Sequence, residues 1–427
     1  MKKNLSDWTD IRSGQWRYRM EDCRLICLIQ DNELVILALT AGYREIRTPV
    51  LEHTELFARS AGESSDVVRK EMYTFLDKGE RSVTLKPEST AGTVRAFLES
   101  GLYAQALPLK MYYVNAPHFR YEAPQSGRLR EHHQFGMECF GAAEPSADAE
   151  LIWLVVRLLD SFGLKNLSVR INSIGCPNCR PAYQKAFREY LAARKDQLCR
   201  TCQERMEINP MRTLDCKEEG CKLALADAPV MLDHLCDECR AHFELLKKYL
   251  DEAGIHYAVD PRIVRGLDYY TKTVFEVITA TPNGELTVCG GGRYDGLVQE
   301  LGGPAIPAVG FGMGIERVLM LLDALEPGEC RLQIEDETPQ VFVACLNRQL
   351  SLQAFSLLRR FREAGLRADM DHQARSLKAQ FKYADKLGAK YVAVLGDDEI
   401  ERGVVKLRDM STREEWEAPL ETAAEAL

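Results

Sequence analysis

The sequence of 427 residues lacks any apolar run that reaches the roughly 18 residues needed to span a membrane. Its first residues, Met1 to Trp8, also lack the apolar core of a secretion signal. Both absences favour a cytoplasmic protein. An excess of positive charge is missing as well, because the formal net charge is −9. Any nucleic acid must therefore bind through a local basic surface and not through the overall field.

The composition is that of a globular protein, with 46% hydrophobic and 28% charged residues, and the chain has room for two or three domains. Its 14 cysteines would indicate disulfides in a small secreted domain, but thiols stay reduced in a long chain without an export signal. Eight cysteines occur as closely spaced pairs, at Cys176 and Cys179, Cys199 and Cys202, Cys216 and Cys221, and Cys236 and Cys239. This spacing predicts either two four-thiolate structural zinc sites or eight reduced, partly buried thiols.

Residues 264–276 place a cation, a turn and two phenols directly before a predicted strand. Alternating side chains from Thr273 onward indicate that the strand is buried. Gly266 allows the backbone to turn sharply, which would aim Arg265 into a cleft. The alternative is an ordinary strand end with a surface arginine.

Three consecutive glycines follow in residues 289–296, at the end of a second predicted strand. Something must approach the backbone closely there, and we expect a ligand. The two segments, 264–276 and 289–296, resemble the two signature peptides of histidyl-tRNA synthetases, a family of class II aminoacyl-tRNA synthetases.

Residues 119–140 have the outline of a hairpin. Arg120 and Glu122 lie on one side of its first strand, and Gln134 and Glu138 share one side of its return strand. Such a polar row either faces a ligand or forms the solvated face of a sheet. The hairpin resembles the second sequence motif of class II synthetases.

Two turns and one further segment, residues 42–49, add to this series of motifs. Glu88 and Thr90 lie where a strand breaks and a helix begins, so they either hold an ammonium group or cap the helix. Residues 308–322 form a glycine-rich strand and turn with Arg317 at the start of a helix, which resembles the third class II motif. Residues 42–49 resemble the first motif, which implies a homodimer.

Residues 326–338 form a charged linker, beyond which strands alternate with helices. This alternation predicts a small α/β domain with a mostly parallel sheet. On its second helix, Lys378, Lys382 and Lys386 recur every four residues and form one basic face. The face is either simply solvated or contacts an RNA backbone. The domain resembles the anticodon-binding domain of several class II synthetases.

The resemblance covers residues 42–412 and implies a fold that combines the α/β and α+β classes. We expect an antiparallel-sheet catalytic core at residues 1–325 with a Cys-rich insertion at 176–240. A linker at 326–338 then leads to an anticodon-binding α/β domain at 339–427.

The resemblance also implies a reaction, the ATP-dependent attachment of L-histidine to tRNA(His) through a histidyl-adenylate, with Mg²⁺ accompanying ATP. It assigns catalytic contacts with the α-phosphate to Arg120 and Arg265, and further ATP contacts to Glu122 and Arg317. It assigns histidine to Glu88, Thr90, Gln134, Glu138, Tyr269, Tyr270 and Tyr294, and tRNA to the lysine face at 378–386. The alternative is a catalytically inactive paralogue that acts as a regulatory or RNA-binding protein.

Overall fold

The structure is a computed structural model that describes residues 17–20, 23–26, 38–62, 65–121, 129–165, 167–281, 284–325 and 338–427. The chain divides into two compact units, Met1–Gln333 and Ile334–Leu427. Among the described residues, no helix is both long enough and apolar enough to cross a membrane.

The first unit is organised around an eight-stranded sheet. Its strands, in chain order, are β1 (Arg17–Met20), β2 (Cys23–Ile26), β3 (Arg44–Glu45), β4 (Leu51–His53), β5 (Tyr73–Leu76), β6 (Ser82–Leu85), β7 (Leu109–Phe119), β8 (Glu131–Phe140), β9 (Leu167–Ser173), β10 (Tyr257–Val259), β11 (Thr271–Thr281), β12 (Gly284–Arg293) and β13 (Ala308–Gly314). The large sheet has the order β10-β9-β11-β12-β13-β8-β7-β3, while β4, β6 and β5 form a small sheet and β1 pairs with β2.

Most pairings in the large sheet are antiparallel, as expected for a class II core. Only its two edge pairs, β10 with β9 and β3 with β7, are parallel among the described residues. The predicted hairpin is the pair formed by β7 and β8, but β7 ends at Phe119, so Arg120 follows the strand and does not lie within it as predicted.

Helices cover both faces of this sheet. The helices of the first unit are α1 (Thr54–Ala61), α2 (Thr90–Glu99), α3 (Pro145–Ser161), α4 (Arg180–Ala192), α5 (Arg200–Ile208), α6 (Glu219–Ala224), α7 (Asp237–Glu252), α8 (Leu297–Glu300) and α9 (Ile315–Asp323). Shorter helical turns span Val67–Glu71, Leu102–Ala104, Lys195–Gln197, Pro210–Asp215 and Met231–His234.

The period of two in each strand separates a purely apolar face from the face that carries the polar residues. Phe135 and Met137 of β8 and Phe275 of β11 point into the core beneath α3 and α7. The intervening positions point the other way, where Val274 packs with Phe97 of α2 and with aromatic side chains. The sheet therefore presents Gln134 and Glu138 on the face opposite its main core.

The cysteine-rich insertion has a small core of its own. Helices α4, α5 and α6 and the start of α7 surround its cysteines, together with Tyr183, Phe187 and Leu191. The cysteines thus pack directly among the apolar side chains of the insertion.

The second unit is a five-stranded sheet with helices on both faces. Its elements are β14 (Val341–Cys345), a turn at Arg348–Leu350, α10 (Ser351–Glu363), β15 (Ala368–Met370), α11 (Leu377–Lys386), β16 (Tyr391–Leu395), α12 (Asp397–Glu401), β17 (Val404–Asp409) and β18 (Glu415–Pro419). The sheet order is β15-β14-β16-β17-β18. Alternate residues of β14 pack against α10 on one face and α11 on the other.

The expectation of a mostly parallel sheet holds only for β15, β14 and β16. Strands β17 and β18 continue the sheet in antiparallel orientation. Strand β18 was not predicted, because the alternation of its two exposed glutamates with Trp416 and Ala418 covers only four residues before Pro419.

Candidate active site

Glu138 lies at the centre of the polar face of the sheet. Its carboxylate accepts hydrogen bonds from Thr90 Oγ1 at 2.8 Å and from the Tyr294 hydroxyl at 2.5 Å. The Tyr113 hydroxyl is 3.4 Å away. The side chain is only 1% exposed, and burial raises the pKa of Glu138 to about 8. The site thus holds a carboxyl group that gains or loses its proton near neutral pH.

Glu88 lies in the turn before α2. Its carboxylate accepts hydrogen bonds from the backbone N–H groups of Thr90 and Ala91, at 2.6 and 2.9 Å. Burial raises its pKa. Glu88 therefore caps the helix, as the simpler of the two interpretations predicts, while Thr90 connects the helix start to Glu138.

Three phenols form an aromatic wall beside Glu138. The ring centroid of Tyr269 lies 4.7 Å from that of Tyr270 and 5.6 Å from that of Tyr294. All three side chains are buried, and burial raises their pKa values above the ordinary value. The phenols consequently stay neutral at physiological pH and can both donate and accept hydrogen bonds.

Arg265 approaches this wall from the adjoining turn. Its Nη1 atom donates to Glu276 Oε1 at 2.5 Å, and its guanidinium lies 5.8 Å from the ring centroid of Tyr270. A β-carbon at position 290 would come within 2.4 Å of Nη1. The arginine therefore needs a residue without a side chain on the neighbouring strand.

The glycines of the two glycine-rich strands make room for protein groups. A β-carbon at Gly310 would lie 1.6 Å from Glu138 Oε2, and one at Gly312 would lie 2.8 Å from Gln134 Oε1. One at Gly291 would meet the backbone oxygen of Gly310 at 2.3 Å. Site side chains and the adjacent strand therefore occupy the space that a side chain at these glycines would need, and the expected approach of a ligand stays a prediction.

The other two predicted phosphate-binding arginines lie at different places around the site. Arg120 Nε donates to the Pro87 carbonyl at 3.2 Å, next to Glu88, and the side chain is 28% exposed. Arg317 on α9 donates to the carbonyl of Thr287 on β12. The Thr287 hydroxyl is 3.4 Å from Glu276, the partner of Arg265. Glu122 lies outside the described residues.

Two residues of the site are not singled out by the sequence. Tyr113 lies directly opposite Gly136 in the pairing of β7 with β8, and a β-carbon at Gly136 would come within 2.3 Å of its ring. A glycine inside a strand is the signal that could have predicted such a close neighbour. Glu276 belongs to the strand that follows Arg265, and only the structure shows that the two are paired.

Arg293, which follows the three glycines, has a supporting position. It is completely buried, and its guanidinium binds both carboxylate oxygens of Asp148 and the backbone carbonyls of Ala142 and Glu144. This pairing anchors the end of β12 to the start of α3 and thereby fixes the adjacent Tyr294.

Comparison with known proteins identifies the family. Residues 29–318 match the family profile described as histidyl-tRNA synthetase, and residues 340–427 match the profile of the anticodon-binding domain. The chain belongs to the histidyl-tRNA synthetase family. It is 54% identical over 426 residues to the histidine–tRNA ligase of Caldanaerobacter subterraneus subsp. tengcongensis, covering 100% of this chain and 98% of the relative.

Other relatives agree. The histidine–tRNA ligase of Clostridium perfringens strain ATCC 13124 is 53% identical over 426 residues, covering 98% of this chain and 97% of the relative. The crystal structure of apo histidyl-tRNA synthetase from S. aureus matches with a TM-score of 0.74 and 39% identity, covering 93% and 94% of the two chains. The class II core and the anticodon-binding domain predicted from the motifs are therefore confirmed.

The eight paired cysteines of this family member form two separate groups. The first thiol group is Cys176, Cys179, Cys236 and Cys239, and the second thiol group is Cys199, Cys202, Cys216 and Cys221. Within each group, all four Sγ atoms lie within 4.8 Å of one another. All eight are free thiols.

The lysine face lies on α11, in the region that matches the anticodon-binding profile. Lys378, Lys382 and Lys386 are exposed, while Gln380 and Ala384 of the same helix are buried against the sheet. The helix thus presents three cations on its solvent side.

Proposed function

We propose that the protein attaches L-histidine to tRNA(His) in two steps. Histidine and ATP first form histidyl-adenylate and pyrophosphate, and the histidyl group then passes to the tRNA. The observation that carries the proposal is a buried carboxyl group at Glu138 that accepts hydrogen bonds from two hydroxyl groups, beside an aromatic wall that Arg265 approaches at Tyr270, in a chain of the histidyl-tRNA synthetase family.

Recognition of histidine requires partners for two ring nitrogens, each of which can donate or accept. Glu138 is the proposed acceptor for one and Tyr270 the partner for the other, with Gln134, Tyr269 and Tyr294 completing the pocket. Glu88 and Thr90 are proposed to face the α-amino group, in addition to their contacts at the start of α2. A site built from buried hydrogen-bonding groups rejects analogues that leave those groups unpaired.

Activation proceeds by attack of the histidine carboxylate on the α-phosphorus while pyrophosphate leaves in line. The protein contributes positioning and stabilises the charge that spreads over the phosphate oxygens. Arg120 and Arg265 are the proposed contacts of the α-phosphate, Arg317 of the γ-phosphate and Glu122 of the adenine. An arginine stays charged at any relevant pH and binds phosphate oxygens with two parallel donors.

The remaining components belong to the same proposal. Mg²⁺ accompanies the pyrophosphate part of ATP and neutralises its charge. The protein functions as a cytoplasmic homodimer through residues 42–49, and the second unit binds the anticodon region of the tRNA.

The test is histidine-dependent exchange of labelled pyrophosphate into ATP, measured with histidine and with each of the other nineteen amino acids. We expect exchange with histidine alone, followed by charging of tRNA(His). Absence of exchange in folded protein that still binds tRNA would instead support the inactive paralogue.

The lysine face provides a separate prediction. Replacing Lys378, Lys382 and Lys386 with glutamate should raise the Michaelis constant for tRNA by about tenfold or more, because each lost phosphate contact reduces affinity. The salt dependence of tRNA binding should also weaken. The Michaelis constant for histidine in pyrophosphate exchange should stay unchanged.

A charge-matched control is available on the opposite face of the same sheet. Arg348, Arg359 and Arg362 are exposed around α10, which packs on the other side of β14 from α11. Replacing these three with glutamate should leave tRNA charging within about threefold of the unmodified protein. Equal losses in both triple variants would mean that overall charge, and not the lysine face, governs tRNA binding.

A further inference from the structure

The two thiol groups have the geometry of two mononuclear metal sites. In the first group, Cys176 Sγ lies 3.5 Å from Cys179 Sγ and 3.9 Å from Cys236 Sγ. In the second, Cys199 Sγ lies 3.9 Å from Cys216 Sγ. Four sulfurs at about 2.3 Å from a central zinc ion are separated by about 3.8 Å, whereas a disulfide requires about 2.05 Å.

Each group also contains a backbone donor aimed at a sulfur. The N–H of Cys236 lies 3.1 Å from Cys179 Sγ, and the N–H of Cys199 lies 3.1 Å from Cys221 Sγ. Such donors stabilise the negative charge of metal-bound thiolates. Two groups from different segments share this arrangement, which packing of neutral thiols alone would not require.

The first thiol group is directly connected to the segment that carries the active-site phenols. Cys176 follows Gly175, whose carbonyl accepts from the N–H of Lys272 at 2.9 Å. Glu238, between Cys236 and Cys239, accepts from Lys272 Nζ at 2.8 Å. Gly175 and Glu238, which adjoin cysteines from the two ends of the first thiol group, therefore both contact Lys272, two positions after Tyr270.

Lys272 needs this support. Its φ is 47°, in the left-handed region that side chains other than glycine seldom adopt, and the register of β11 with β12 is irregular beside it. Arg180, next to Cys179, donates to the carbonyl of Tyr270. The shape of the segment from Tyr270 to Lys272 is thus determined by residues adjacent to the first thiol group.

The second thiol group has a less direct connection. Cys202 lies in α5, and Asn209, which follows that helix, donates to Asp268 Oδ1 at 2.8 Å. Seven positions of chain separate this contact from the nearest cysteine of the group.

We infer that the chain holds two structural zinc ions, one in each thiol group, and that the zinc of the first group is a positioning element for Tyr269 and Tyr270 of the active site. A soft tetrathiolate set is suited to zinc, and the separation of the sulfurs fits one ion per group. The positioning role rests on the proposed function, whereas the metal content does not.

The first measurement is metal analysis of the full chain purified without chelator. We expect two equivalents of zinc, and about one in each of the matched variants Cys236→Ser and Cys216→Ser, whose cysteines are both half-buried. Less than about half an equivalent in the unmodified protein, or iron in place of zinc, would overturn the inference.

The second measurement is pyrophosphate exchange. Cys236→Ser should raise the Michaelis constant for histidine about tenfold or more with that for ATP nearly unchanged, and Cys216→Ser should have less than about a threefold effect. Cys236→His, which offers another zinc ligand, should restore both the zinc and the exchange. Loss of the first zinc without any change in exchange would refute the positioning role.

Arg180→Gln keeps the test decisive even if Cys236→Ser fails to fold. This variant should retain two zinc ions and still raise the Michaelis constant for histidine, because it leaves all eight cysteines in place and removes the bonds from the guanidinium to the carbonyls of Tyr270 and Ile174. An unchanged constant would refute the connection. Two zinc ions in a protein that shows no histidine-dependent exchange would refute the proposed function and leave the zinc sites standing.

Discussion

Replacing Arg265 with alanine should lower histidine activation by about 10²-fold or more, while the fold and most ATP binding remain. The guanidinium is held between Glu276 and the ring of Tyr270, with Gly290 leaving the space that it occupies. In the proposed mechanism, this cation stabilises the negative charge that develops on the α-phosphate. The measurement is kcat/KM for histidine in pyrophosphate exchange.

Two further variants sharpen this result. Arg265→Lys should recover only part of the activity, because an ammonium group cannot reproduce the two parallel donors of the guanidinium. Arg262, three residues earlier, is exposed, and Arg262→Ala should stay within about twofold of the unmodified protein. Near-normal exchange by Arg265→Ala would remove Arg265 from the proposed mechanism.

The architecture was predictable because its signals are local. Glycine spacing, the alternation of Phe135 and Met137 in β8, and the strand–helix alternation after residue 338 each depend on neighbours in sequence. Strand β18 is the exception, since Glu415–Pro419 forms a sheet edge in which only Trp416 and Ala418 face the core and the alternation is too short to stand out. An edge strand buries little side-chain surface and therefore leaves a weak pattern.

The pairings within the site were not predictable, because they join distant segments. Contact between Tyr113 and Glu138 depends on the register of β7 with β8, and contact between Thr90 and Glu138 brings together residues of different elements. The prediction that another group comes close to the backbone at the glycines is confirmed. Their neighbours are nevertheless protein side chains such as Arg265, and no local pattern indicates which group will fill such a space.

Glu138→Gln should lower histidine activation by about 10²-fold or more and change how stability depends on pH. Burial raises the pKa of Glu138 from 4.5 to about 8, so the folded protein binds this proton more tightly than the unfolded chain does. The stabilisation from the group is complete below about pH 4.5 and is lost as pH rises to about 8. The loss is at most about 1.4 kcal/mol per pH unit. Glutamine has no proton to lose there.

The thermal stability of Glu138→Gln, measured relative to that of the unmodified protein, should therefore increase between pH 5.5 and pH 8.

Glu316 supplies the matched control, since it is also buried. Burial alone would raise the pKa of Glu316, but hydrogen bonds from His133 prevail and lower it. The stabilisation that the ionised Glu316 carboxylate contributes is present at pH values above the pKa of this group in the unfolded chain. It is lost only as pH falls below that value. Glu316→Gln should consequently have the same cost at both pH values. If the difference between Glu138→Gln and the unmodified protein were also independent of pH, Glu138 would be ionised throughout, and recognition of histidine would need no proton exchange at this carboxyl group.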